Sequence, residues 1–282
     1  MAVNAGVCYR LNLKCRKAMI VPSMTNLEVY NELAADLPKL KIRAKTLMAK
    51  VVKEFRKVRR FPAWQCYEYT HQESRNKYLI SFYAAFAKQI EKPDVDYMGV
   101  TSDSAGRVIM KWETWLYRKD DTVEFIGTRA ISYYCGHFFS RYRERVWPNV
   151  EMSANELICR YFTRNKRPTP IKLNEDIKQR YQEYGEFAQY AMQVTDGICF
   201  TNQGCEGDES TVGDRNCNFI SCVWYYTIVS KSMLTDRQTG AIAEEEKEFV
   251  RIHFFEPFRI ALEREMWKLP PQLRPPFLNE PH

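Results

Sequence analysis

The chain has 282 residues, of which 45% are hydrophobic and 14% aromatic, so it can bury a full hydrophobic core and is not an intrinsically disordered chain. No stretch approaches the roughly 20 consecutive apolar residues of a membrane helix, and basic residues interrupt the N-terminal segment, which therefore does not read as a signal peptide. The net charge is +7, and we expect a soluble, cytoplasmic protein with no membrane partner.

Residues 25–60 are predicted to form a pair of helices that follows an N-terminal extension over residues 1–24. Thr25 is a suitable N-cap for the first helix and Asp36 for the second, because short polar side chains accept hydrogen bonds from the free N–H groups of a first turn. Pro38 would then lie in the first turn of the second helix, where its missing N–H costs little. Apolar residues recur there at steps of three and four, so the second helix is amphipathic.

The positive charge of the chain is concentrated in this helical pair. Between Leu37 and Arg60 there are ten lysines and arginines and one acid, Glu54, which gives that segment a charge of +9. Clustered cations of this kind contact the phosphates of nucleic acids, although long charged side chains also cover apolar surface in water. We predict that RNA or a ribosome is contacted by Lys39, Arg43, Lys50, Lys53, Lys57 and Arg60.

Residues 61–235 have the pattern of a single core domain. Aromatic and β-branched runs separated by turn residues predict a meander of about four or five antiparallel strands before residue 135, and two more strands near residues 196–203 and 221–231. Residues 174–192 are predicted to be helical, and residues 236–282 to form a long C-terminal helix and a Pro-rich tail. The predicted fold class is α+β, with an antiparallel sheet meander, packed helices, an N-terminal helical pair and the long C-terminal helix.

The stretch "YYCGHFFSRYRER" places a histidine at a junction between a strand and a helix. His137, Arg141 and Arg145 follow at steps of four, within about 80° of helical arc. A histidine can move the protons of an RNA 2′-hydroxyl or leaving group, and arginines can offset the charge on a phosphate in the transition state. Thr227 or Ser230, on a late strand, would supply an orienting hydroxyl. The alternative is a histidine satisfied by backbone groups and arginines that point into water.

The order of a strand, H-x3-R-x3-R on a helix and later strands with a hydroxyl residue resembles the RelE/barnase-type ribonuclease toxin superfamily, over about residues 120–232. The resemblance implies metal-independent cleavage of RNA without a cofactor, by a toxin or a protein encoded on a mobile element. Two features depart from that pattern, because the chain is far longer than a typical toxin of this type and a second helix lies between the halves of the site.

The cysteines and the known catalytic motifs limit the other kinds of site that the chain can carry. Nine cysteines, an odd number, are expected to be reduced thiols, and the C-x5-C-x11-C-x4-C spacing from Cys199 to Cys222 does not match a structural zinc site. No metal or cofactor is predicted, and the sequence lacks the motifs of dinucleotide, P-loop, α/β-hydrolase and zincin sites. Two hypotheses remain beside the ribonuclease: a nucleic-acid-binding module without catalysis, and an interaction module that binds a protein partner or forms a homodimer.

Overall fold

The computed structural model describes residues 19–103, 106–118, 125–166, 168–171, 190–212 and 217–251, together with residues 264, 266 and 268. In this part of the chain four α-helices accompany nine strands, so the predicted α+β class is confirmed. The helices are α1 (Asn26–Phe55), α2 (Phe138–Val146), α3 (Ala154–Arg164) and α4 (Asp236–Val250). The strands are β1 (Ala63–Thr70), β2 (Lys77–Ala84), β3 (Asp94–Asp103), β4 (Gly106–Arg118), β5 (Phe125–Tyr134), β6 (Thr169–Ile171), β7 (Tyr190–Val194), β8 (Gly197–Glu206) and β9 (Ile220–Ser230).

All nine strands belong to one sheet, in the order β1-β2-β3-β4-β5-β9-β8-β7-β6. The first five strands pair in chain order, each antiparallel to the next. The chain then passes through α2 and α3 and re-enters the sheet at its far edge, and three antiparallel pairings bring it back towards the centre. As a result β9 runs parallel to β5. The sheet is mixed, and the purely antiparallel prediction was wrong.

The predicted N-terminal helical pair is a single helix of 30 residues, α1. Thr25 is its N-cap, as predicted, and its side chain accepts the backbone N–H of Glu28 while the Glu28 carboxylate accepts that of Thr25. Asp36 is not the N-cap of a second helix, because it lies inside α1 and is fully buried. Pro38 also lies inside the helix, where a proline costs about 3 kcal/mol. Burial of a long apolar stripe from Val29 to Phe55 holds the helix together across this point.

Helices cover both faces of the sheet. The apolar stripe of α1 packs on one face, against alternate side chains of β2 and β5 such as Ile80 and Ile131. The other face carries α2 and α3, which pack on the side chains of the opposite parity, such as Leu79 and Tyr134. Because successive residues of a strand point to opposite faces, each central strand contributes to two separate clusters of side chains.

Parts of the remaining predictions fall outside the described residues. Residues 236–250 are helical, while most of the long C-terminal helix that was predicted and the Pro-rich tail lie outside the described part. The same holds for residues 1–18 and for most of the helix predicted over residues 174–192. The end of that segment is described, and it belongs to β7 instead of a helix.

Candidate nucleic-acid interface

Four of the cations predicted to contact nucleic acid form a stripe along α1. With 100° per residue, Lys39, Arg43, Lys50 and Lys53 lie within about 80° of helical arc. All four side chains are exposed, and they border the buried stripe because the amphipathic period places polar residues next to apolar ones. The helix thus presents a row of positive charge along one of its flanks.

Two tyrosines of β1 lie beside this row. The guanidinium of Arg43 is 5.9 Å from the ring centre of Tyr69, and the ammonium of Lys50 is 5.2 Å from that of Tyr67. Both distances are typical of cation–π contacts. β1 is the edge strand of the sheet, and both rings are partly exposed. We call the set Lys39, Arg43, Lys50, Lys53, Tyr67 and Tyr69 the α1–β1 surface.

The cations of this row form no ion pairs with the carboxylates of the described residues, although the charge of Glu54 lies near enough to Lys50 and Lys53 for both to lower its pKa. Within the described ranges no carboxylate lies at ion-pair distance from any of the four, whereas the ammonium of Lys57 lies 2.9 Å from Glu54 and Arg56 lies 2.7 Å from Glu91. The hydrogen bond from Lys57 lowers the pKa of Glu54. Lys57 and Arg60, the other predicted contacts, follow the end of the helix, and both are exposed.

The predicted catalytic histidine begins α2. His137 is exposed at the N-cap position, and its side chain makes no capping hydrogen bond. Arg141 is also exposed, and its guanidinium donates to Glu144 at 2.9 Å. Phe138 and Tyr142 of the same helix are buried and pack on the sheet. The histidine therefore faces water beside an arginine that already has an ionic partner.

The structure brings two further predicted residues together. Arg145 Nη1 donates to the hydroxyl of Thr227 at 3.0 Å and to the backbone oxygen of Ile228 at 2.6 Å. This part of β9 lies beyond the last residue that pairs with β5, so the guanidinium satisfies polar groups at an edge of the strand. Ser230 is buried and shares a hydrogen bond of 2.9 Å with Ser232. These contacts give Arg145 a structural role, and the catalytic role of the group stays a prediction.

A buried polar cluster beneath α1 was missed by sequence reasoning. The carboxylate of Asp36 accepts hydrogen bonds from Ser74 Oγ at 2.5 Å, Asn76 Nδ2 at 3.1 Å and the hydroxyl of Tyr78 at 2.7 Å. His71 Nδ1 accepts the backbone N–H of Ser74, which leaves the proton on Nε2, 3.5 Å from Asp36 Oδ1. The cluster fixes α1 on the turn between β1 and β2. The position of an aspartate on the apolar stripe of the helix was the signal that could have revealed it.

A second buried carboxylate joins α2 and α3 to the turn between β7 and β8. Asp196 accepts hydrogen bonds from the hydroxyl of Tyr142 at 2.6 Å, from Asn165 Nδ2 at 3.0 Å and from two nitrogens of Arg164. Burial alone would raise the pKa of Asp196, but the hydrogen bonds from these three residues outweigh burial and lower it. These hydrogen bonds to the charged carboxylate fix the loop that carries Asp196 to α2 and α3.

Comparisons with known proteins identify no relative. No family model, no curated protein and no solved structure matches this chain. In the described part of the chain no group of three or more His, Cys, Asp and Glu side chains is placed to hold a metal ion. None of the helices found there is long and apolar enough to cross a membrane.

Proposed function

We propose that the protein binds single-stranded nucleic acid, and RNA in particular, on the α1–β1 surface. The observation that carries the proposal is the row of four exposed cations beside two partly exposed tyrosines at the edge of the sheet. None of the four forms an ion pair with a carboxylate of the described residues. Proteins that bind single strands combine cations that follow the backbone with aromatic rings on which bases stack. The α1–β1 surface offers both kinds of group side by side.

A single strand fits this surface better than a duplex does. The rings of Tyr67 and Tyr69 can stack only on bases that are free of their neighbours, which a single strand provides and a regular duplex does not. Four phosphate contacts to a single strand predict that the logarithm of the association constant falls with the logarithm of the salt concentration, with a slope of about −3.

The test is fluorescence anisotropy of a labelled RNA of about 16 nucleotides at several salt concentrations. The variant Arg43→Ala/Lys50→Ala removes two cations of the row, and Lys41→Ala/Lys45→Ala removes two exposed cations of the same helix that lie outside it. We expect the first variant to bind RNA more weakly, with a salt slope that is less negative by about 1.4. The matched control should keep the slope of the wild type.

The tyrosines provide a separate test of stacking. Tyr67→Leu and Tyr69→Leu should each weaken RNA binding by about 1–3 kcal/mol, at every salt concentration, because stacking releases no counterions. If Arg43→Ala/Lys50→Ala and Lys41→Ala/Lys45→Ala lose equal RNA affinity and the tyrosine variants lose none, RNA is attracted by positive charge alone. Absence of RNA binding by the wild type would overturn the proposal and favour the interaction module or homodimer.

RNA cleavage without a metal is the second candidate function. The observation that favours it is the exposure of His137 at the N-terminal end of α2, where a substrate phosphate is favoured by the helix dipole. Incubation of the wild type and His137→Ala with the same RNA in EDTA tests it. Cleavage that is lost in the variant supports catalysis, and intact RNA in both samples contradicts it.

A further inference from the structure

The row of cations on α1 contains one gap. Because an α-helix rises 1.5 Å per residue, Lys39 and Arg43 are about 6 Å apart along its axis, and Lys50 and Lys53 are about 4.5 Å apart. Between Arg43 and Lys50 the interval is about 10 Å. Thr46 lies in this gap, inside the arc of about 80° that the row occupies. Its side chain is exposed, so the row presents a hydroxyl between its two pairs of cations.

The gap lies alongside the interval between the two tyrosines of the α1–β1 surface. Arg43 contacts the ring of Tyr69, and Lys50 contacts the ring of Tyr67. The two tyrosines are two residues apart on β1, which separates their backbone positions by about 7 Å. Thr46, between the two cations on the helix, is therefore beside the space between the two rings. Bases stacked on the rings would place the ribose that joins them next to this hydroxyl.

The hydrogen bond that Thr46 makes within the helix decides which ligand groups it can bind. Its Oγ1 donates to the backbone oxygen of Arg43 at 2.7 Å. A threonine hydroxyl has one proton and two lone pairs, so with its proton donated to the helix it can only accept from a ligand. Phosphate oxygens are acceptors themselves and cannot bond to it in this state. The ribose 2′-hydroxyl is a donor, and it is the group that RNA has and DNA lacks.

We propose that Thr46 accepts a hydrogen bond from a ribose 2′-hydroxyl and thereby makes the α1–β1 surface prefer RNA to single-stranded DNA. The inference rests on the proposed function, because it names the group that distinguishes the two nucleic acids on that surface. One neutral hydrogen bond corresponds to a difference in affinity of about two- to tenfold. The contact releases no counterions, so the preference is the same at every salt concentration.

Fluorescence anisotropy with two labelled strands of about 16 nucleotides tests the inference. The strands are oligouridylate and its 2′-deoxy counterpart, which carry the same bases and the same number of phosphates. We expect the wild type to bind the RNA strand about two- to tenfold more tightly. Thr46→Val keeps the branched shape and removes the hydroxyl, so it should lower the affinity for RNA to that for DNA and leave the affinity for DNA unchanged. Thr46→Ser keeps the hydroxyl and should keep the preference.

The matched control is an exposed threonine of α4. Thr239 Oγ1 donates to the backbone oxygen of Thr235 at 3.1 Å, so its hydroxyl is bonded to its own helix as that of Thr46 is. Thr239→Val should leave the affinities for both strands unchanged, because α4 does not belong to the α1–β1 surface. Circular dichroism confirms that each variant folds.

The outcomes separate this inference from the proposed function. Equal affinities of the wild type for the two strands would overturn the inference and leave nucleic-acid binding in place. An equal loss with both strands in Thr46→Val would show a contact to a base or phosphate, and a preference for RNA that persists in Thr46→Val would assign it to another group. Either result overturns the role of Thr46. Failure of the wild type to bind either strand would overturn the proposed function itself.

Discussion

Substitution of Asp196 by asparagine should destabilise the fold in a manner that depends on pH. The carboxylate is 3% exposed, and it receives hydrogen bonds from Tyr142, Asn165 and Arg164. An amide in its place keeps one acceptor oxygen, but the second oxygen is replaced by an NH2 group. This group can only donate, and it would face groups that are themselves donors. The variant therefore loses the negative charge and about half of the acceptor sites.

The magnitude follows from the contacts. A hydrogen bond to a charged group contributes about 1.5–3 kcal/mol, and the Arg164 side chain is 41% exposed, so water replaces part of its share. We expect Asp196→Asn to lower the free energy of unfolding by about 2–4 kcal/mol at neutral pH. The lowered pKa of Asp196 means that this contribution is complete above the unfolded value of about 3.9. It is lost as the pH falls through the lower folded value.

Urea denaturation followed by circular dichroism, at neutral pH and at several points below about pH 4, measures both effects. The difference between wild type and Asp196→Asn should shrink on acidification, because both proteins then carry a neutral side chain at this position. Glu144→Gln, at an exposed ion pair, is the control and should change stability by less than about 0.5 kcal/mol. A variant as stable as the wild type at neutral pH, or a difference that grows in acid, would refute the reasoning.

Three further substitutions test the other internal contacts. Asp36→Ala leaves several buried donors without an acceptor and should cost about 3–5 kcal/mol of unfolding free energy. Tyr78→Phe removes only one donor and should cost about 1.5–3 kcal/mol. If urea denaturation gave the reverse order, Asp36 would not be the common acceptor of the cluster. Arg145→Met removes the donor to Thr227 and Ile228 and should cost about 1–3 kcal/mol without changing RNA anisotropy. Weaker RNA binding with unchanged stability would contradict its structural role.

Local patterns predicted the elements that depend on local chemistry. The capping residue Thr25 and the apolar stripe of the second half of α1 followed from spacing alone, because a helix period and a cap need only neighbouring residues. Local rules failed at Asp36 and Pro38, which together resemble a helix start. The partners of Asp36 lie about forty residues away, on the turn before β2 and at the start of β2. These tertiary contacts, with the apolar stripe, override the local signal.

The arrangement of the sheet could not be predicted from such local patterns. Whether β9 runs parallel or antiparallel to β5 depends on the edge at which the chain re-enters the sheet, and no residue of either strand encodes that choice. The chain re-enters at β6, and the antiparallel pairings of β6 with β7, β7 with β8 and β8 with β9 then leave β9 parallel to β5.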